Sequence, residues 1–564
     1  MHKNILREFI QFASAGLGVG FLMTIVSNLF VMGVEYGRQF RESHSFISFT
    51  IGSNIYSATP VISLVVSALV IIWLKKNLGI KAWAGPADSI YAAQNPSKPL
   101  DLKIGLASTL TAFISASGGA SVGQYGPLVH FGGTVGSAFK RLLKSTLSQD
   151  IWLGCGVAAA ISAGFNAPLA GVVFAHEAIL RHFSLRAIVP IFIASVSANT
   201  FDYILFPSSQ ASFRLNIEPP PLTEIVPLLL LFAPLLAFLA TAFMKSIRFM
   251  QGVGGSLNNK HIPSPLIAAL ICGFVGVFLP EILGIGGNTM NMILSGSYSL
   301  SMLIMLLSAK FAMTALCLGF GLFGGIFSPS LFLGVAAGAV VGQLMVILGH
   351  PELAEMLSIA GMAAVSSAIV GAPIACIIIV MELTRSYDHA VISMLAVIIC
   401  NLVAHRINKG SFFDRQLLDR GIGIHDGRDA ILLAETTVEL YIKKELIILP
   451  QDCDGNKCYN LMKENQATEA YICDDNNVLI GKVTLFNAIS AGSDRLDSLM
   501  DSDPLRFFHD ESLSGAMEKA SKFVGENIPI VDRESNKLLG IMTEGDLFHA
   551  VLAVQQQAKS LEKN

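Results

Sequence analysis

Residues 118–133 read G-G-A-S-V-G-Q-Y-G-P-L-V-H-F-G-G, six glycines in sixteen positions, set between apolar segments. Backbone broken at membrane depth is tolerated only where protein encloses it or where it lines a cavity, because its freed N–H and C=O groups otherwise stay unpaired. The order Gly123-Gln124-Tyr125-Gly126-Pro127 lets the chain turn sharply and predicts a helix that starts at the proline, whose fixed φ suits a first helical position. A helix begun inside the membrane points its unpaired N–H groups and the positive end of its dipole at whatever fills the cavity, which suits an anion. Gly325-Ile326-Phe327-Ser328-Pro329 repeats the device further along, and Ala82-Trp83-Ala84-Gly85-Pro86 repeats it loosely. Any one Gly-Pro turn reads as a plain helix terminus. Three together, in a chain of broken apolar helices, predict N-termini converging on one site that holds a chloride-sized anion weakly enough to release it.

Other chemistry is sparse. Carboxylates able to face a pore in residues 1–421 are few, chiefly Asp88, Glu177, Glu281 and Glu382, which weighs against a divalent-cation path needing several oxygen ligands. No nucleophile with its base, metal-ligand cluster or phosphate loop stands out, so the chain is not expected to be an enzyme or to hold a metal. Eight cysteines are scattered without C-x-x-C spacing, five of them (Cys155, Cys272, Cys317, Cys376, Cys400) in apolar stretches, and read as reduced packing residues.

The elements that must position these residues are membrane helices. The 564-residue chain is 52% hydrophobic and only 14% charged, against the ~25% usual for soluble proteins. A net charge of −3 leaves no basic stripe for nucleic acid. Lys3 and Arg7 precede an apolar run without a clear cleavage site, so a first membrane helix is expected over 9–33. Further apolar segments fall at 48–74, 104–117, 127–139, 151–163, 168–180, 187–206, 222–244, 264–279, 301–319, 329–348, 356–369, 372–382 and 389–405. Many are shorter than the ~20 residues a bilayer requires, and paired interruptions in both halves imply a repeated architecture with its site at the midplane. The halves, about 1–215 and 222–421, meet near Pro219-Pro220-Pro221. Gly132 with Gly136, and Gly334 with Gly338 and Gly342, have the spacing that lets helices pack closely. Basic residues around 75–81, 140–144, 245–248 and 406–420 suggest inward-facing loops, although re-entrant segments blur that rule.

From about residue 422 charge density rises and apolar runs shrink to strand length. Ala470-Tyr471-Ile472-Cys473, a turn, and Val478-Leu479-Ile480-Gly481-Lys482-Val483-Thr484 form one copy of a weak repeat; Ile528-Pro529-Ile530-Val531 and Leu538-Leu539-Gly540-Ile541-Met542-Thr543 form the other. Residues 435–555 resemble a tandem pair of CBS domains. The resemblance implies that Thr543 and Asp546 could bind the ribose and phosphate of an adenine nucleotide. Asn487 takes the acid's place in the first copy. A ligand-free pair that stabilises a dimer stands beside that nucleotide-sensing reading.

Residues 1–421 resemble the CLC chloride channels and transporters. Gly123-Gln124-Tyr125-Gly126-Pro127 matches the family's G-[RK]-E-G-P, Gly325-Ile326-Phe327-Ser328-Pro329 its G-x-F-x-P, and Asn166-Ala167-Pro168-Leu169-Ala170-Gly171 the segment leading to its paired glutamates. Met381-Glu382-Leu383-Thr384 resembles the segment before its last membrane helix, and Trp83 stands where its G-S-G-x-P has serine. The resemblance implies an anion pathway through Trp83, Gly123, Gln124, Tyr125, Gly126, Gly325, Ile326, Phe327 and Phe413, with no cofactor required beyond a nucleotide at the CBS pair. It also exposes departures. The family's gating glutamate is Tyr125, whose phenol, titrating near ~10, stays neutral at pH 7 and offers a hydrogen bond. Glu177 takes the first place of the paired glutamates and Ala178 the second, so the usual proton site is lost. His176, two residues away on another helix face, reads as a satisfied interior histidine. Ser411-Phe412-Phe413-Asp414-Arg415-Gln416-Leu417 resembles the family's S-[IL]-Y-E-A-Q-L, with Phe413 lacking the tyrosine hydroxyl. Tyr125 either supplies the donor that Phe413 and Trp83 have lost or plugs the pore.

The expectation is an all-α membrane domain over 1–421, built as inverted repeats, followed by an α+β CBS pair over 422–564. Its function would be chloride or similar anion transport without chloride/proton exchange. The alternatives are a coupled carrier of bicarbonate or nitrate, a CBS-regulated divalent-cation transporter, and a non-transporting sensor. Expected partners are small anions, the bilayer and a second copy of the chain. The expected location is multi-pass in a bacterial inner membrane, with the CBS pair cytoplasmic.

Overall fold

The computed structural model describes residues 2–95, 98–145, 147–207, 220–422, 427–521, 523 and 525–563, and divides into two compact units, Met1–Asp419 and Arg420–Asn564. Pro219, at the expected junction of the halves, lies outside the described residues.

In the first unit the opening helix α1 spans His2–Ser43, beyond the expected 9–33 at both ends. The apolar segment 48–74 is not one helix. Its start is an antiparallel hairpin, β1 (Ser48–Ile51) and β2 (Asn54–Ser57), turning at Gly52 with φ 63°, and helix α2 (Thr59–Leu78) follows with Pro60 in its first turn. Proline inside a continuous helix would remove a hydrogen bond and clash with the preceding turn; at the start it costs nothing. Then come α3 (Pro86–Gln94), α4 (Leu102–Gly118), α5 (Tyr125–Leu143), α6 (Gln149–Phe165), α7 (Pro168–Phe174), a π-helical turn over Ala175–Leu180, and α8 (Leu185–Leu205).

The second half consists of α9 (Leu222–Asn259), α10 (Ser264–Phe278), α11 (Gly287–Leu294), α12 (Leu300–Gly319), α13 (Phe327–Ile347), α14 (Ala354–Val370), α15 (Pro373–Thr384), α16 (Tyr387–Asn408) and α17 (Phe412–Leu418). Among the described residues, eight helical segments are long and apolar enough to cross a membrane. Others are too short alone, in keeping with a broken-helix architecture. The halves mirror each other: α5 lies along α6 as α13 lies along α14. Gly136 makes the first pairing possible, since a Cβ there would sit 1.9 Å from the carbonyl oxygen of Trp152. The eight cysteines are free and buried.

The second unit opens with α18 (Gly427–Glu435) and contains two like repeats. In one, β3 (Ile448–Pro450), β4 (Glu469–Cys473) and β5 (Leu479–Thr484) form a sheet with α19 (Gly455–Glu464) and α20 (Leu485–Ala491). In the other, β6 (Phe507–Phe508), β7 (Asn527–Val531) and β8 (Leu538–Thr543) form a sheet with α21 (Leu513–Ala520) and α22 (Glu544–Lys563). Each sheet pairs its first two strands parallel and its last two antiparallel. A buried ion pair locks the repeats together: Lys482 meets Glu469 at 2.6 Å and donates to Asn527 O, while Glu469 accepts from Asn527 N.

Candidate functional site

The two glycine-rich interruptions touch. Gly123 and Gly325 exchange both backbone hydrogen bonds, N to O at 2.7 and 2.6 Å, as an isolated antiparallel bridge. No side chain fits there: a Cβ on Gly123 would lie 2.8 Å from Gly325 O and 2.9 Å from Pro329 Cδ. The bridge fixes the starts of α5 and α13 side by side. Both helices begin two residues before the expected proline, at Tyr125 and Phe327, with Gln124 and Ile326 as N-caps. Proline is tolerated at that third position because the first N–H groups of a helix have no intrahelical partner anyway. The third start also converges. A Cβ on Gly126 would be 3.6 Å from Cγ of Pro86, the first residue of α3. Three helix N-termini therefore meet around Gly123, Gly126 and Gly325, a concentration of N–H groups and positive dipole ends that favours an anion.

Tyr125 stands in the middle of this convergence, 8% exposed. Its ring stacks on Phe165 at 3.5 Å between centroids and 22° between planes, and meets the edge of Phe327 at 6.2 Å. Its hydroxyl donates to Gly164 O at 3.0 Å. That carbonyl needs an outside donor, because its partner four residues on would be the N–H of residue 168, which is proline. The phenol thus latches onto the end of α6 instead of offering its proton to an ion, which differs from the idea that it replaces the hydroxyl missing at Phe413. Tyr125 lines a cavity of about 770 Å³ together with Gln124, Phe165, Ser328, Arg38 and Arg41.

Phe413 is buried in the short α17, which packs against α3, and does not line this cavity. Ser411 and Asp414 close that helix with reciprocal bonds, and Asp414 also holds Arg181 at 2.7 Å. Trp83 is half-buried against Phe323, centroids 6.4 Å apart, in the approach to Gly325. Ala178 is fully buried in the π-helical turn, and its carbonyl accepts from Arg181. His176 bonds through Nδ1 to His182 O at 3.0 Å, while its buried Nε2 has no partner among the described residues.

The carboxylates of this unit are mostly structural. Glu177 accepts from the N–H groups of Ile374 and Ala375 at the start of α15, at 3.0 and 2.8 Å. Glu382 accepts from Leu169 and Ala170 at the start of α7, at 3.0 and 2.9 Å. Each half thereby caps a helix of the other. Asp88 caps α3 through Gly85 N. Of the four acids singled out in the sequence, only Glu281 lines the cavity.

Sequence reasoning missed three cations. Arg41 donates to Ser117 O just ahead of the first glycine-rich interruption, Arg38 is braced by Glu35 and Glu42, and Lys310 is fully buried, donating to Ile282 O and Gly284 O at 2.9 and 2.7 Å. The signals were present: a charged cluster over 35–42 at the end of a long apolar helix, and a lone lysine inside the apolar segment 301–319.

In the second unit Thr543 and Asp546 form a closed pair, Thr543 Oγ1 and N both donating to Asp546 Oδ2 at 2.7 and 3.1 Å. Lys443 holds the other carboxylate oxygen at 2.8 Å. Burial pushes the Asp546 carboxyl up, but the bonds from Lys443 and Thr543 together outweigh it and hold the group below the usual aspartate range.

Comparison with known proteins fits this geometry. The voltage-gated chloride channel family model matches residues 62–405, and the CBS domain model residues 496–553. The chain is 28% identical over 441 residues to an H(+)/Cl(−) exchange transporter ClcA of Vibrio vulnificus, covering 74% of this chain and 93% of that protein. It is 27% identical over 343 residues to a putative chloride channel protein ClcB-like of Ralstonia nicotianae, covering 59% and 79%. Among solved structures, a eukaryotic CLC transporter superposes with a TM-score of 0.62 at 18% identity over 97% of this chain and 99% of the other. A slow cyanobacterial Cl−/H+ antiporter gives 0.63 at 20% identity over 73% and 97%. With a family model matched over more than half of its length, and with that family's helix starts converging on Tyr125, this chain belongs to the voltage-gated chloride channel family, carrying a C-terminal CBS domain.

Proposed function

We propose that the membrane unit is a pathway for small monovalent anions that does not exchange them for protons. The observation that carries this reading is Tyr125, a neutral side chain latched to Gly164 O at the meeting point of the helix starts. A carboxylate placed there could pick up and release protons, whereas a phenol cannot do so near neutral pH. The other candidate carriers fit the same reading: Ala178 has no proton to give, and Glu177 is engaged by two backbone N–H groups. Relatives named as exchangers and antiporters share the family, but coupling has to be decided for this chain by its own residues.

In this reading the partners are small inorganic anions, the lipid bilayer and a second copy of the chain, each copy with its own pathway. The chain sits as a multi-pass protein in a bacterial inner membrane with its CBS unit in the cytoplasm. An adenine nucleotide at that unit would have to displace Lys443 from Asp546. The deciding experiment is anion efflux from liposomes containing the purified chain, comparing chloride, bicarbonate, nitrate and fluoride with and without a pH gradient. Downhill flux indifferent to the pH gradient is expected. Uphill anion uptake driven by a proton or sodium gradient would overturn the reading.

A further inference from the structure

The cavity that Tyr125 lines carries ionised groups for which helix N-termini alone have no use. Glu35, Arg38, Arg41 and Glu42 line it from the end of α1, and Glu281 lines it from the segment between α10 and α11. Arg38 is spent on its own helix, bonding Glu35 through Nε at 2.9 Å and Glu42 through Nη1 at 2.6 Å. Glu281 adds a carboxylate whose Oε2 has no partner among the described residues. Three carboxylates against two arginines leave no surplus of positive charge in the lining. A diffuse field therefore does not draw an anion in, and the attraction has to come from a cation that touches it.

Arg41 is placed to be that cation. Its Nη1 donates to Ser117 O in the last turn of α4, and it makes no other hydrogen bond and no ion pair among the described residues. A guanidinium has five N–H donors, so most of them are left without a protein partner. The bond to Ser117 O anchors the group where the first glycine-rich interruption begins: a Cβ on Gly119 would lie 3.2 Å from Arg41 Nε and 3.3 Å from its Cζ. The side chain is half-buried, not sealed, and shares its cavity with Tyr125. The interruption brings no cation of its own, because Gln124 stands at the [RK] position of its motif.

We propose that Arg41 holds the permeating anion in this cavity, through direct contact with its free N–H groups. The occupant is a small monovalent anion such as chloride. Ser117 O holds the planar guanidinium in place beforehand, so less side-chain freedom is lost when the anion arrives. A bond from an ionised donor is stronger than one between neutral groups, yet in a partly wet cavity it stays weak enough for the ion to leave, as conduction requires. This assignment rests on the anion reading above and adds to it a side chain that touches the ion.

The test measures chloride efflux from liposomes and chloride-dependent thermal unfolding of the purified full-length chain, for the wild type, Arg41→Gln, Arg41→Lys and Arg41→Cys. Arg41→Gln should raise the half-saturating chloride concentration by about threefold to tenfold, the scale of one charge a few ångströms from the ion in partly wet surroundings. Arg41→Lys should recover most of that loss. Arg41→Cys separates charge from helix capping. The eight native cysteines are buried, so a methanethiosulfonate reagent should modify the introduced thiol, and a cationic and an anionic adduct can be compared on one folded protein. The cationic adduct should lower the half-saturating concentration and the anionic adduct raise it, whereas a residue that only capped α4 would give no dependence on the sign of the adduct. Half-saturation that ignores the charge at residue 41, or a thiol there that no reagent reaches, overturns the inference. Chloride-dependent melting that follows this charge, without flux, leaves the contact standing and sinks the transport reading. Flux indifferent to residue 41 does the reverse, and neither flux nor chloride-dependent melting removes both.

Discussion

The Tyr125 latch can be taken apart one interaction at a time. Tyr125→Phe keeps the ring against Phe165 and Phe327 but removes the hydroxyl that serves Gly164 O. The N–H that would take its place in a continued helix is absent, because residue 168 is Pro168. The net worth of such a hydrogen bond is about 0.5–1.5 kcal/mol. If the ring is what closes the pathway, the open fraction should rise by about twofold to tenfold. Tyr125→Ala also removes the aromatic contacts, each worth roughly 0.5–1.5 kcal/mol beyond simple burial, and the bulk of the ring itself. The expected order of anion efflux from liposomes is therefore wild type, then Tyr125→Phe, then Tyr125→Ala. Gly164→Ala attacks the latch from its other side, since the new Cβ would be 2.8 Å from Tyr125 Cε1 and must displace the ring. It should raise efflux without touching the phenol. Equal rates for wild type, Tyr125→Phe and Tyr125→Ala, each shown to be folded by thermal unfolding, would refute the latch. A fall in anion affinity for Tyr125→Phe at unchanged rate would instead restore the hydroxyl as a direct ligand.

The cross-capping acids allow a second comparison. Glu177→Gln keeps an acceptor oxygen for only one of the Ile374 and Ala375 N–H groups, sets its NH2 against the other and loses the charge facing the start of α15, a loss of about 1–3 kcal/mol that should lower the melting temperature and leave the pH dependence of flux unaltered. A flux–pH profile that changes in Glu177→Gln would make this carboxylate a proton carrier after all. In the second unit, Asp546 is held below its ordinary range, so its contribution to stability is fully present above the unfolded-state value near ~3.9 and is lost as pH falls through the lower folded value. Hydrogen exchange of β8 and α22 should accordingly speed up in acid, and Asp546→Asn should flatten that dependence. Lys443→Ala should open the Asp546 carboxylate and increase binding of adenine nucleotide; unchanged binding would mean that Lys443 does not guard the site.

The broken helices were legible in the sequence because the rule behind them is local. Glycine and proline at membrane depth force an interruption, and two interruptions of like pattern imply two halves. The starting residues of α5 and α13 were less legible, since proline satisfies the geometry anywhere in a first turn and pattern alone cannot choose its position. The hairpin over Ser48–Ser57 was hidden by composition: Phe49, Ile55 and Tyr56 suit an apolar strand as well as a helix, and only the turn at Gly52 and the break before Pro60 separate the two.

What the sequence could not show was partnership across distance. Tyr125 stood out as a substitution, yet its role depends on a carbonyl 39 residues away that is free in the last turn of α6. Glu177 and Glu382 read as two of the few acids able to face a pore, and each instead caps a helix in the opposite half. Gln124 was placed in the anion pathway by its motif, whereas Ser328 was only a position within the second motif. In each case the residue type was visible, but the chemistry belongs to a pair, and folding decides which pairs exist. The same reasoning explains how one family's helix starts can serve different ions. The backbone amides supply attraction for any small anion, while the side chain set at their meeting point, here the phenol of Tyr125 held to Gly164 O, belongs to this chain.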